Sequence, residues 1–236
     1  MDLEAAARLV TTELSARGRA EDAASMQKYM KTEMPFHGVM SRGQGEVFRL
    51  LRKDHSPSSM DEYRALVLEL WGLPRREEKH MAISVAEGFR RFISPECLPL
   101  YARLVREGAW WDFVDRVAIH CVGVALRSSR RVVGGTMKDW IEDECMWMRR
   151  SAILCQVGHR QDTDEEMLFD FCLRRCGEKE FFIRKAIGWA LREYSYTSPD
   201  GVARFLVDNR GRLSGLSFRE GAKALVRSGW TPPAPD

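Results

Sequence analysis

An alanine–isoleucine pair returns along this chain at a nearly fixed interval. It stands at Ala82-Ile83, Ala118-Ile119, Ala152-Ile153 and Ala186-Ile187, spaced by 36, 34 and 34 residues, and Ala224-Leu225 follows after a further 38. A period of this length, with room for two helices per unit, is the mark of an α-solenoid of the HEAT, armadillo or TPR kind. A small side chain at a fixed phase lets neighbouring helices approach closely. The rest of the chain agrees, because its hydrophobic periodicity is helical almost everywhere. Among the helices it predicts are segments near 109–126 and 138–157. Only Arg131-Val132-Val133 hints at a strand, and Gly134-Gly135 reads as a break. Ser94-Pro95 and Ser198-Pro199 read as helix starts, with serine at the cap and proline in the first turn. The expected architecture is all-α. It is one repeat domain over residues 1–230 followed by a flexible tail, 231–236.

Composition narrows the class further. Of 236 residues, 44% are hydrophobic and 30% charged, which excludes disordered and collagen-like chains. No apolar run reaches the roughly 18 residues of a membrane span, and the N-terminal segment lacks the apolar stretch of a secretory signal. The sequence therefore reads as cytoplasmic with no membrane partner. The six cysteines read as reduced core thiols, and Cys172 and Cys176 have no histidine at ligand spacing, so neither a metal nor another cofactor is expected.

Charge is unevenly placed. Residues 1–100 are balanced, and the whole net charge of +3 arises beyond them. Within 201–228 stand Arg204, Arg210, Arg212, Arg219, Lys223 and Arg227 against Asp208 and Glu220. Two residues before the repeat alanine stand Arg116, Arg150 and Arg184, so arginine lands on one face of successive units. Such a file suits an anionic partner, although solvated helix residues would give the same pattern. One residue earlier the positions are Lys79, Asp115, Arg149 and Ile183. Asp115 thus puts a carboxylate among cations. The spacing of Trp110, Val114, Val117, Cys121 and Val124 predicts a buried seam. Trp111 and Asp115, at i and i+4, fall together on the stripe at its edge. Asp115 reads either as a reactive anion at the edge of that seam or as an ion-pair partner of Arg149 or Arg150 in the next unit. Trp189 shares its phase with Val85, Cys121 and Cys155, which suits the core, yet an indole there can also show one face to a groove.

Three segments together resemble the AlkD-type DNA alkylation repair family: Trp111-Asp112-x-Val114-Asp115, Trp147-x-Arg149-Arg150-x-Ala152-Ile153-Leu154, and Lys185-Ala186-Ile187-Gly188-Trp189-x-Leu191-Arg192-Glu193-Tyr194. They come in the family's order and spacing, and the likeness runs from about Tyr29 to Arg227. The resemblance implies a curved HEAT-like superhelix with a basic concave groove. It also implies a monofunctional glycosylase that excises cationic alkylpurines, such as 3-methyladenine and 7-methylguanine, from duplex DNA without flipping the base. By position, Asp115 is the catalytic aspartate, Trp111 and Trp189 are the groove tryptophans, and Arg150 is the associated arginine. Tyr29 matches an aromatic facing the DNA. Arg116, Arg149, Arg184 and Lys185 join Arg150 as expected DNA-binding residues. The expected partner is double-stranded DNA carrying alkylated bases, met by a monomer in the cytoplasm at the nucleoid. The likeness weakens around Met40, Arg42 and Gln44-Gly45, where the family tends to place a polar residue, a proline and an arginine pair. A non-catalytic solenoid that binds branched or damaged DNA, or a protein scaffold, would share the fold.

Overall fold

The computed structural model describes residues 1–232, and among them every regular element is helical. Two compact units divide the chain, Met1–Ile93 and the residues from Ser94 onward. Of the expected C-terminal tail, residues 233–236 lie outside the described residues.

The first unit holds α1 (Leu3–Arg17), α2 (Ala20–Met30), α3 (Ser41–Asp54), α4 (Met60–Gly72) and α5 (Arg76–Gly88). Helix starts are satisfied locally: Asp2 accepts the Ala5 N–H at 2.9 Å, and Ser59 accepts that of Glu62 at 3.2 Å. Val10, Leu14, Leu66, Leu70 and Val85 are fully buried between these helices. The loop between α2 and α3 is pinned by a buried carboxylate. Glu77, in the first turn of α5, accepts the backbone N–H groups of His37 (2.9 Å), Gly38 (2.8 Å) and Val39 (3.0 Å). Charge-assisted bonds of this kind offset the cost of burying the anion. They also require the chain to turn tightly, which Gly38 does at φ +84°. The loop then delivers Met40, 63% exposed, as the residue capping α3.

The second unit runs through α6 (Leu98–Gly108), α7 (Trp111–Val117), a π-helical turn (Ala118–Val122), α8 (Gly123–Ser128), α9 (Arg130–Trp140), α10 (Met146–Leu154), α11 (Glu165–Arg175), α12 (Phe181–Ser195), α13 (Pro199–Asp208) and α14 (Gly215–Arg227). The repeat alanines sit where the period places them, with Ala82, Ala118, Ala152 and Ala186 all buried. A close helix contact lies just after the last of these. A Cβ on Gly188 of α12 would stand 2.4 Å from the Glu220 Cβ and 2.9 Å from the Ser217 carbonyl oxygen of α14. Only a residue without a side chain lets these helices meet.

Three expectations are corrected. The strand hint and glycine break at 131–135 lie inside α9. Val133, Gly134, Met137 and Trp140 are its buried residues, so packing overrides the weak helix propensity of valine and glycine. The single helix expected over 138–157 is interrupted between α9 and α10. There Asp143 accepts the Cys145 N–H at 2.8 Å and pairs with Arg106, a local turn that outcompetes helix continuation. The seam through 110–124 slips as well. Trp110 lies outside the helix as the residue capping α7. The π turn contains one residue more than an α turn, so Ala125 and Leu126, not Val124, are buried beyond it. Ser94 and Ser198 do precede prolines at helix starts, but neither side chain makes the capping bond.

Candidate functional site

The clearest charged constellation joins α7, α10 and α12. Trp110 caps α7, Trp111 opens it, and Asp115 follows one turn later. Arg150 of α10 grips Asp115 with two parallel bonds, Nε to Oδ1 at 2.7 Å and Nη2 to Oδ2 at 2.8 Å. The remaining guanidinium nitrogen, Nη1, donates to the Phe182 carbonyl in the first turn of α12. Arg150 is therefore held by three helices' worth of structure and is 5% exposed, whereas the Asp115 side chain keeps 13% of its surface. A carboxylate offers about four lone-pair sites. The fork occupies two, which leaves both oxygens able to accept another group.

Aromatic rings wall this pair. The Trp110, Trp147 and Phe182 centroids lie 6.1, 5.5 and 5.0 Å apart pairwise, and the Arg150 guanidinium carbon stands 5.8 Å from the Phe182 ring centre. Burial pushes the Asp115 carboxyl above its ordinary range, and the Arg150 fork opposes that rise without cancelling it. Chemically, the arrangement is a fixed anion in a partly desolvated niche, suited to stabilising positive charge that develops beside it.

Of the residues singled out from the sequence, Asp115 and Arg150 are brought into contact. The ion-pair reading is thus realised, and it coexists with the edge position of Asp115. Trp111 and Trp189 are both half-buried on the helices that carry the site. The other cations serve contacts within the chain. Arg149 binds Glu178 through Nε and Nη2, each at 2.8 Å, and through Nη1 the carbonyls of Asp143 (2.7 Å) and Glu144 (2.8 Å). Arg184 donates from Nε to the Glu178 carbonyl at 2.9 Å. Lys185 lies 3.1 Å from Glu220, and Arg116 too has a partner within the chain. Tyr29, in the first unit, is 74% exposed on α2.

Sequence reasoning missed Phe182, Trp147 and Glu178 as parts of the site. Trp147 occurs in a quoted segment and Phe182 stands three residues before one, but apolar residues at core phases give no sign that a carbonyl or a ring will meet a guanidinium. Glu178 precedes α12 in a loop, where periodicity carries no signal.

With this geometry in view, comparison with known proteins is informative. No curated protein matches the chain. A solved structure described as a predicted DNA alkylation repair enzyme from Enterococcus faecalis is 28% identical, with a TM-score of 0.81 over 89% of this chain and 98% of that one. The sequence model of the family described as DNA alkylation repair enzyme matches residues 10–225. The all-helical repeat architecture, the order of the motifs and this match across most of the chain lead to one assignment: the chain belongs to the DNA alkylation repair enzyme family.

Proposed function

We propose that the protein is a monofunctional DNA glycosylase that hydrolyses the N-glycosidic bond of cationic alkylpurines, 3-methyladenine and 7-methylguanine among them, in duplex DNA. The observation that carries this reading is the Asp115 carboxylate, clamped by Arg150 yet still open on one side. Alkylation at N3 or N7 makes the purine a cation, so it departs as a neutral base without a general acid. What needs stabilising is the positive charge that grows on the deoxyribose. A fixed carboxylate near the anomeric carbon lowers the energy of that oxocarbenium-like state and can accept a proton from the attacking water. Arg150 acts here on the carboxylate itself, fixing both oxygens so that no reorganisation is needed as charge develops. Trp111 and Trp189 supply electron-rich faces to the cationic nucleoside, worth about 0.5–2 kcal/mol each. Tyr29 and the cations not consumed within the chain, acting on phosphates, add affinity that ignores sequence.

Purified protein and its Asp115→Asn variant, incubated with methylated duplex DNA, test the role through the bases released. A loss of about 100-fold or more is expected, the scale of removing one preorganised electrostatic group. Undiminished release by the variant overturns the assignment. The apolar, exposed Met40 at a position where a polar residue is expected favours a second reading, a binder of branched or damaged DNA. That reading predicts tight binding with no base release by the unaltered protein.

A further inference from the structure

The far ends of α10 and α12 border a cavity of about 490 Å³, lined among others by Val157, Arg160, Gln161, Glu193, Tyr194 and Tyr196. It is not part of the Asp115 site. Phe182, which meets Arg150, lies twelve residues before Tyr194 on α12, and at 1.5 Å rise per residue that is about 18 Å.

Three features of this cavity have no use in the chemistry described above. The first is Arg160. Its backbone sits at φ +54°, a left-handed conformation that costs a non-glycine residue energy and that persists where the surroundings impose it. The surroundings here are definite. His159, just before it, is buried, and its Nε2–H donates to the Gly123 carbonyl at 3.0 Å. The nearby arginines are engaged, Arg127 with Asp162, and Arg130 with the Asp162 carbonyl, Gln156 and Asp164. Arg160 alone of the three has a guanidinium with no ion pair or hydrogen bond to the described residues, and the residue is exposed. The second feature is a pair of rings. Tyr196 leaves 66% of its surface exposed, while the Tyr194 hydroxyl is tied to Glu165 and Ser198, which fixes that ring in place. The third is a pair of side-chain acceptors without partners among the described residues, Glu193 and Gln161, in a lining that also holds the apolar Val157, Leu168 and Ala190.

These groups ask for a ligand with an anionic end, a flat aromatic body and hydrogen-bond donors on its edge. Inorganic phosphate satisfies only the first. An acidic peptide would meet repulsion from Glu193 and leave the rings unused. A nucleotide satisfies all three, with its phosphate on Arg160, its base against the tyrosines and its exocyclic amine on Glu193, and the cavity lies within the size range of small-ligand sites. We infer that this cavity is a nucleotide-binding site, distinct from the Asp115 centre, which takes either an unpaired nucleotide of a DNA strand or a free nucleotide.

The test uses the full chain and two probes, deoxyadenosine monophosphate and inorganic phosphate, titrated by calorimetry or NMR. The monophosphate should bind saturably and at least ten-fold more tightly than phosphate. Arg160→Gly should weaken it at least ten-fold without lowering the melting temperature, because glycine adopts φ +54° freely. Tyr196→Ala should weaken the monophosphate but not phosphate. A duplex with one unpaired deoxyadenosine, compared with the fully paired duplex, separates the sources: tighter binding that Arg160→Gly abolishes assigns a strand nucleotide, and monophosphate binding without that gain assigns a free one. The inference falls if the monophosphate binds no better than phosphate, or if Arg160→Gly leaves its binding unchanged. Asp115→Asn should retain monophosphate binding, so failure of the glycosylase reading and failure of this one are told apart.

Discussion

Asp115 and Arg150 show how one contact can be both structural and chemical. An arginine fork is planar and rigid, and lysine, with a single point charge, cannot reproduce its two parallel bonds. Arg150→Lys should therefore keep the net charge and still lower the maximal rate of base release, by about 10- to 100-fold at saturating DNA, with little change in DNA affinity. Single-turnover kinetics separate the two effects. The pH dependence follows from the raised carboxyl of Asp115. In the proposed mechanism the ionised form is the active one, so release should fall as pH drops, and the midpoint of that acid limb should lie above the ordinary aspartate value of 3.8. Arg150→Lys should move the midpoint further upward, because the fork is what restrains the rise. The residues of this pair were legible from the sequence, since charge at a fixed repeat phase marks them. The Phe182 carbonyl that Arg150 meets, and the Glu178 carboxylate that Arg149 meets, were not, because a backbone carbonyl and a loop carboxylate carry no periodic signal.

At the level of elements, two helices are set by small residues at their crossing. Gly188 has no room for a methyl group against Glu220 and Ser217, both on α14. Gly188→Ala should destabilise the protein by about 1–3 kcal/mol, as overpacking does. In a chain of this size that corresponds to a fall in Tm of about 2–4 °C per kcal/mol, read by calorimetry. The fall should come without selective loss of DNA binding at temperatures where the variant stays folded. The helical period made the repeat alanines readable as contact points, and all four alanines of the Ala-Ile copies are buried. It failed at α9, where Val132, Val133 and two glycines argue locally against helix and packing decides otherwise. It failed again at the π turn, because a count at 3.6 residues per turn cannot foresee a surplus residue.

For the whole molecule, net charge says less than how the charges are spent. Arg149, Arg150, Arg184 and Lys185 all contact groups of this chain, whereas Arg204, Arg212 and Arg219 are exposed without ion pairs to the described residues. Only cations that release counterions from phosphates steepen the salt dependence of DNA binding, by about 0.9 in the log–log slope for each contact. Arg212→Gln and Arg219→Gln should flatten the slope by up to that amount each. Arg149→Gln should lower stability and leave the slope unchanged, and fluorescence anisotropy across a salt series distinguishes these outcomes. The family was legible over nearly the whole length because its motifs lie at contact phases of the repeat. The π turn after Asp115 carries a consequence of its own. A helix that already stores one supernumerary residue can lose it by relaxing into ordinary winding, with the Asp115 turn and the packed stretch beyond both keeping their bearings. Excising the exposed His120 should thus be survivable, while the same excision anywhere in α12 would swing half a helix away from its neighbours.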